Sequence, residues 1–388
     1  MNNLLRFSLV ILVMSLGMLS CKKKENVSPA SSTTTFNRQA MFTNIGNNII
    51  IPSYTTFANA TDSLYNAANT FINTPNANTL LNLQQKWLEA NLGWKSCELY
   101  NFGPALSGTS GGYCNNIQEY FNVTPSAIET VISNTPVPYD STYVTKQNQE
   151  ERGISTIEYM LFDPVNGNSA ILNLYTANTN SSQQRLNYLK GLTQNLSVNA
   201  NGLLTAWLPS GGNYIQTFIN ADGNDVNSSL SLLVNQLVYM ADYIANTKIG
   251  IPLGIRVKAT NGPPLPTYVE TYYSSNALAC LTANYQSINN LFFGIGNNNV
   301  KQSGLSDLLN AMNTQYNGQL LSSLVSERLD SINVQINDIN IPLEQAVVNT
   351  PQPVNTLYLS AKQLLILFKL DMVGTLGLTL TTTDNDGD

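Results

Sequence analysis

The sequence predicts an all-α protein in which two helical-bundle domains pack against each other. Apolar residues recur at steps of three and four along most of the chain, which is the period of an amphipathic helix. The alternation of apolar and polar residues that is typical of strands is nearly absent. Each apolar stripe can bury one helix face while the other face stays polar, as in bundles of helices packed side by side.

The predicted helices follow one another along the chain. Pro52 indicates the start of the first, because a proline in the first turn of a helix loses no hydrogen bond. Asn78 or Thr79 is expected to cap the second helix, and the pair Ser274-Ser275 a later one. The apolar stripes are Tyr54, Phe57, Leu64, Ala67, Phe71; Leu80, Leu83, Trp87, Ala90, Trp94, Cys97; Leu186, Leu189, Leu192, Leu196, Leu203; Leu230, Leu233, Leu237, Ala241, Ile244; Leu278, Leu281, Tyr285, Ile288, Phe292; Leu321, Val325, Ile332, Ile336, Ile339; and Val354, Leu357, Ala361, Leu364, Phe368.

The loops near residues 163–182 divide these helices into two groups. They are rich in Gly, Pro, Asn and Ser, which interrupt regular secondary structure. We therefore predict an N-terminal bundle at 36–165 and a C-terminal bundle at 183–388.

The N-terminus predicts a secretory signal peptide over residues 1–20. A basic residue precedes an apolar stretch from Phe7 to Leu19 that is short for a transmembrane helix. The stretch ends at Cys21 in a pattern similar to a bacterial lipobox, and the alternative is an ordinary signal peptide with an incidental cysteine. A lipidated Cys21 and a flexible tether over 21–35 would anchor the protein to the membrane of the cell envelope, with the outer membrane as its expected location.

The composition excludes several classes of function. The chain has 388 residues, 18 Lys and Arg, 24 Asp and Glu, no histidine and a formal net charge of −6. Without histidine there can be no Ser-His-Asp or Cys-His nucleophile pair and no His-ligated zinc. A mildly acidic chain without basic runs beyond its first residues also lacks the electrostatic footprint of a nucleic-acid binder. We therefore expect no nucleic-acid partner.

The cysteines allow at most one disulfide once Cys21 carries lipid. Cys97 and Cys114 are the expected pair, because both fall in the N-terminal domain and an envelope compartment is oxidising. The alternative is that these two residues and Cys280 are three buried thiols.

Five sequence motifs resemble those of the imelysin-like proteins, also called peptidase family M75. They are Ile51-Pro52-Ser53-Tyr54; Trp87, Trp94, Glu98 and Phe102-Gly103-Pro104; Arg152 to Tyr159; Lys248 to Gly254 with Glu270; and Leu376-Gly377-Leu378 with the acidic end at 384–388. They occur in the order found in the family and cover almost the whole mature chain. The resemblance implies two helical bundles that meet at an interface, in envelope proteins linked to iron uptake, some of which carry a peptidase label.

The chain departs from the family pattern at two places. The signature GxHxxE reads Gly153-Ile154-Ser155-Thr156-Ile157-Glu158, so Ser155 stands where the family has histidine. A neutral hydroxyl is a poor metal ligand and cannot replace a basic nitrogen. The second departure is at 117–121, where the family pattern IDxWP has lost its acidic residue and its Trp-Pro pair.

The resemblance implies a candidate site around the signature helix. Ser155 and Glu158 share one helix face, and Glu158 with Glu98 and Glu270 would form an oxygen-rich metal site for iron or another hard cation such as Ca(II). The alternative is that Glu98 and Glu158 are structural, held by buried hydrogen bonds from partners such as Arg152, Lys248 or tyrosine hydroxyls. No catalytic residue is predicted.

We expect a non-catalytic lipoprotein of the cell envelope that binds a ligand or partner in iron or haem uptake. The partner would be an iron or haem ligand or a protein of the uptake system. One alternative is an M75-type metallopeptidase, although metal-dependent proteolysis needs ligands that a chain without histidine lacks. Another is a degenerate structural surface lipoprotein that has kept the fold and lost the site.

Overall fold

The protein is described here by a computed structural model, and the chain is helical through most of the described residues. These residues are 36–106, 112–118, 121–134, 139–255 and 262–381. The predicted signal peptide, Cys21 and the tether lie outside them, and so does the acidic end of the chain. None of the helices in the described ranges is long and apolar enough to cross a membrane.

The prediction of an all-α fold is confirmed. The α-helices are α1 (Arg38–Asn44), α2 (Ile51–Asn73), α3 (Ala77–Cys97), α4 (Tyr113–Gln118), α5 (Pro125–Ser133), α6 (Ser141–Thr145), α7 (Gly153–Leu161), α8 (Gly167–Thr176), α9 (Asn180–Trp207), α10 (Tyr214–Asn220), α11 (Ser229–Asp242), α12 (Ala277–Phe293), α13 (Leu305–Ala311), α14 (Leu321–Asn337), α15 (Leu343–Asn349), α16 (Pro351–Ile366) and α17 (Val373–Leu376). Short 3₁₀ turns lie at Glu98–Tyr100, Gly103–Leu106, Gln149–Glu151 and Pro266–Tyr268.

Three π-helical segments continue α-helices, and two of them join one α-helix to the next. They are Ile45–Ile50 between α1 and α2, Tyr243–Gly250 after α11, and Leu367–Met372 between α16 and α17. A π turn contains one residue more than an α turn, so it shifts the register of the side chains that follow, and such turns are frequent at functional sites.

One short hairpin interrupts the helices. Strand β1 (Gln315–Tyr316) pairs in antiparallel fashion with β2 (Gln319–Leu320). The two residues between them, Asn317 and Gly318, both have positive φ, as a type I′ turn requires. The sequence carried this Asn-Gly signal, but two-residue strands are too short to show an alternating pattern.

Two predicted helix caps were wrong, whereas Pro52 lies in the first turn of α2 as predicted, after a π segment that runs into the helix. Asn76 caps α3, and Thr79 is the third helical residue, whose side chain completes a capping box with Asn76. Asn276 rather than Ser274-Ser275 precedes α12.

The described residues from Phe36 onward form one compact unit, and the buried ones among them make one connected apolar core. The predicted stripes of α2, α3, α9 and α12 lie in this core. Helix α9 packs along α2, although the two helices belong to different predicted domains. The division into bundles at 36–165 and 183–388 stays a prediction.

Candidate functional site

Two lysines and two glutamates form a buried ring of alternating charges, which we call the ion network. Lys95 Nζ lies 2.7 Å from Glu270 Oε1 and 3.2 Å from Glu98 Oε2. Lys248 Nζ lies 3.0 Å from Glu98 Oε2 and 3.1 Å from Glu270 Oε2. Each ammonium group therefore bridges both carboxylates, and the four charges sum to zero. The lysine side chains are 0% and 1% exposed, so these are interior charges and not surface ion pairs.

Four separate parts of the chain supply the network. Lys95 lies in the last turn of α3, and Glu98 follows three residues later in the 3₁₀ turn, a spacing that places both on one side of the helix. Lys248 belongs to the π segment after α11, and Glu270 to the loop before α12. Asn284 of α12 completes the group, because its Nδ2 donates to Glu98 Oε2 at 3.0 Å and to the Lys95 carbonyl at 2.9 Å.

The network keeps Glu98 and Lys248 ionised despite burial. Burial alone would raise the pKa of Glu98, but Lys248 and Lys95 lower it to about 2. Burial alone would lower the pKa of Lys248, but Glu270 and Glu98 raise it above its ordinary range. Removing both charges of such a pair can leave the free energy of unfolding nearly unchanged. Removing one charge destabilises the protein, because the other charge is left uncompensated in the interior.

The signature helix α7 is connected to this network through Gln118. Gln118 Oε1 accepts hydrogen bonds from Lys95 Nζ and from Trp94 Nε1, the latter at 2.9 Å. Its Nε2 donates to Ser155 Oγ at 2.8 Å. A continuous chain of hydrogen bonds therefore runs from Ser155 to the buried ammonium group.

Glu158, on the same face of the signature helix as Ser155, is fixed separately by the loop before α12. It is 2% exposed, and its Oε1 accepts a hydrogen bond from the backbone N–H of Ser274 at 2.8 Å. Burial raises the pKa of Glu158 to about 8 although hydrogen bonds from Ser274 oppose the rise, and the negative charge of Glu270 adds to it. This carboxyl group is therefore largely protonated at neutral pH.

The predicted metal ligands do not converge on one cation position. Glu98 and Glu270 do come together, but Lys95 and Lys248 neutralise them, and Glu158 is held by Ser274. Among the residues that the structure describes, no group of three or more His, Cys, Asp or Glu side chains could hold a metal ion. Lys248, one of the partners predicted in the structural alternative, does contact Glu98, as do Lys95 and Asn284. Arg152 instead donates to the Thr145 carbonyl.

The predicted disulfide between Cys97 and Cys114 is absent from the structure. Both residues and Cys280 are buried free thiols. Cys97 Sγ donates to the Gly93 carbonyl at 3.4 Å within α3, and Cys280 Sγ accepts from Asn91 Nδ2 at 3.2 Å. Each thiol is thus part of the core, and burial raises the pKa of Cys280 to about 12, with a further contribution from Glu270.

A family model described as imelysin, Peptidase_M75, matches residues 50–363. The chain belongs to the imelysin family. The matched range contains every residue of the ion network and the whole signature helix.

Two proteins similar to this chain carry names that refer to iron. Iron-regulated protein A of Synechococcus elongatus is 24% identical over 268 residues, which is 67% of this chain and 66%, just under two thirds, of that protein. The crystal structure of an iron-regulated protein A precursor from Parabacteroides distasonis has a TM-score of 0.69 at 19% identity, over 89% of this chain and 96% of that one. An imelysin-like protein from Psychrobacter arcticum 273-4 has a TM-score of 0.66 at 18% identity, with the same coverage. The likeness to these two structures shows the fold.

The two departures from the imelysin pattern are in direct contact. Ser155 replaces the signature histidine, and Gln118 lies in the 117–121 segment that has lost its acidic residue. Their hydrogen bond joins a neutral hydroxyl to a neutral carboxamide. Neither group can act as a base at neutral pH, so this pair cannot perform acid-base chemistry.

Sequence reasoning missed Lys95, Asn284 and the role of Gln118. Lys95 was overlooked because lysines are rarely buried unless paired, and its partner Glu270 is far away in sequence. One signal was available: Asn91, Lys95 and Glu98 recur at steps of four and three, parallel to the apolar stripe of α3. Asn91 and Lys95, which border the apolar stripe, are themselves buried.

The raised pKa of Glu158 predicts a pH-dependent stability. In the unfolded chain this carboxyl group ionises near its ordinary pKa of 4.5, whereas in the fold it stays protonated up to about pH 8. Its contribution is therefore complete below pH 4.5 and declines as the pH rises, until it is lost above about pH 8. We expect the unfolding midpoint of the wild type in urea to fall across this window relative to that of Glu158→Gln. Unfolding midpoints that change with pH in the same way for the two proteins would contradict the raised pKa of Glu158.

Proposed function

We propose that this imelysin-family chain is a non-catalytic binding protein of iron or haem uptake. The observation that carries the proposal is the state of the signature region. Ser155 and Gln118 are hydrogen-bonded to each other. The nearby carboxylates of Glu98 and Glu270 are neutralised by lysines of the same chain. A buried site closed in this way favours a scaffold that presents its surface to a ligand or a partner protein. The link to iron rests on the names of the relatives.

The test is growth of the native host on defined iron sources. Deletion of the gene should slow growth when haem or Fe(III)-citrate is the sole iron source and have no effect with abundant ferrous iron. The wild-type gene and a Glu158→Gln variant should restore growth equally, because the interior carboxyl group is not the binding group in this proposal. Equal growth of the deletion strain on every iron source would contradict the proposed role.

A direct binding measurement complements the growth test. The purified full chain is titrated with haem and with Fe(III)-citrate, and the same titration is made with Glu158→Gln and Ser155→His. We expect the wild type and Glu158→Gln to behave alike. Binding that Glu158→Gln abolishes would instead show that the interior carboxyl group is a ligand. Binding gained only in Ser155→His would indicate a metal site that this chain has lost.

We also propose that lipid on Cys21 anchors the protein to the outer membrane, with iron or haem, or a protein of the uptake system, as its partner. The support is the lipobox-like end of the apolar N-terminal stretch. Growth of the host with a labelled fatty acid should label the wild type and leave Cys21→Ser unlabelled. Label that persists in Cys21→Ser would contradict the anchor.

A further inference from the structure

Lys248 and Glu98 of the ion network form a triad with Asn284, in which an amine, a carboxylate and a carboxamide lie within hydrogen-bond distance of one another. Lys248 Nζ lies 2.8 Å from Asn284 Oδ1. Glu98 Oε2 lies 3.0 Å from Lys248 Nζ and 3.0 Å from Asn284 Nδ2. One carboxylate oxygen therefore contacts both nitrogens, and the amine already touches the carboxamide.

The triad is held rigidly and away from water. Lys248 and Asn284 are each 1% exposed, and the ring of Tyr243 lies 5.1 Å from Lys248 Nζ. The second hydrogen bond of Asn284 Nδ2, to the Lys95 carbonyl at 2.9 Å, fixes the plane of the carboxamide. Reacting groups held in contact in this way gain the large rate advantage of intramolecular reactions, and the dry interior keeps water from competing as a nucleophile.

We propose that Lys248 and Asn284 become joined by an intramolecular isopeptide bond, with Glu98 as the group that transfers the protons. The bond would cross-link the π segment Tyr243–Gly250 to helix α12, and the protein would form it without another enzyme or cofactor.

The reaction balances within the triad. A proton of the Lys248 ammonium passes to Glu98, and the free amine attacks Asn284 Cγ. The bond from Cγ to Nδ2 breaks as a second proton moves from Nζ through Glu98 Oε2 to Nδ2, which leaves as ammonia. The products are a secondary amide, one ammonia molecule and a protonated Glu98. No oxidant, reductant or other reactant is consumed.

The reaction leaves the net charge of the network unchanged, although the lowered pKa of Glu98 and the raised pKa of Lys248 oppose its first proton transfer. That transfer converts two buried charges into two neutral groups, and Lys95 still pairs with Glu270 at 2.7 Å. The interior therefore carries no net charge before or after the reaction. Because the resting lysine is an ammonium group, we expect the bond to form slowly after folding. The loss of ammonia then makes it irreversible.

Lys95 and Gln118, a lysine and a carboxamide next to the triad, provide an internal control. Lys95 Nζ also donates to a carboxamide oxygen, that of Gln118. The Gln118 nitrogen, however, donates to Ser155 Oγ and not to Glu98, so no carboxylate is placed to protonate the leaving nitrogen. We expect Lys95 and Gln118 to stay unlinked.

The test is peptide mapping of the purified full chain by mass spectrometry. We expect a branched peptide that joins the segments containing Lys248 and Asn284 and is lighter than their sum by one ammonia molecule. The branched peptide should be absent from Lys248→Arg, which retains the charge, and from Glu98→Gln, which retains the shape without a carboxylate. Its yield should increase with the age of the folded sample.

Two results would overturn the proposal. One is a folded, aged wild-type protein in which the peptides with Lys248 and Asn284 are recovered only unlinked, a result that does not depend on the folding of any variant. The other is an equal yield of the branched peptide in Glu98→Gln, which would remove Glu98 from the reaction. A single loss of ammonia that the mapping places at another asparagine is an instance of the first result, because Lys248 and Asn284 are then unlinked.

Discussion

Replacement of Lys95 by methionine should destabilise the protein by about 3–5 kcal/mol, the range typical of breaking a buried ion pair. The substitution removes one of the two ammonium groups that neutralise Glu98 and Glu270. The remaining Lys248 cannot compensate two interior carboxylates, so one of them must stay charged without a partner or take up a proton. The measurement is the free energy of unfolding of the full chain in urea, followed by circular dichroism.

Lys86→Met is the matched control for this prediction. Lys86 lies in the same helix and pairs with Glu89 at 2.7 Å, but its side chain is 33% exposed. A surface pair of this kind contributes about 1 kcal/mol or less. Addition of Glu270→Gln to Lys95→Met should recover part of the loss, because it removes the uncompensated carboxylate. Equal effects of Lys95→Met and Lys86→Met would show that the network contributes no more than a surface contact.

Replacement of Gly153 by alanine should cost about 2–5 kcal/mol, the sum of a left-handed backbone penalty and a packing penalty. Gly153 begins the signature helix with φ +81°, a conformation that disfavours any residue with a Cβ. A Cβ at this position would also overlap the backbone oxygen of Ile117 in the neighbouring helix α4. Since backbone atoms cannot move aside as a side chain can, α4 and α7 would have to separate.

Gly374→Ala provides the comparison for Gly153→Ala. Gly374 lies in helix α17 with no atom close to the position of its missing Cβ. Alanine is preferred to glycine in a helix by up to about 1 kcal/mol, so this variant should be neutral or slightly stabilised.

In Gly153→Ala, the separation of α4 from α7 would also disturb the hydrogen bond between Gln118 and Ser155. Unchanged urea unfolding of Gly153→Ala would contradict the close approach of these two helices.

The sequence predicted the parts of the fold that depend on local pattern. The stripe of α3 from Leu80 to Cys97 has the helical period, and these residues are buried as expected. The start of the same helix was misplaced because Asn76, Asn78 and Thr79 can all cap a helix, and only the backbone geometry selects Asn76. Short elements without a period, such as the hairpin at Gln315–Leu320, could not be found from periodicity.

The candidate site was predicted only in part, for a different physical reason. Glu98 and Glu270 were correctly placed near each other because the family resemblance implied it. The sequence could not show that Lys95 lies between them, because that contact joins positions far apart in the chain. The same two glutamates could form either a metal site or, with lysines of the chain, a buried ion network. Which of the two forms depends on whether the tertiary fold places lysines beside the glutamates.

The ion network also constrains the order in which the protein can fold. Lys95 and Glu98 are made early, but their partners Lys248, Glu270 and Asn284 follow much later in the chain. Until those residues have been synthesised, Lys95 and Glu98 can pair only with each other, and the other contacts of the ion network are missing. The end of α3 therefore reaches its final environment only after the second half of the chain has been made. Chains that end before Asn284 are expected to be more accessible to proteases near the end of α3 than the full chain.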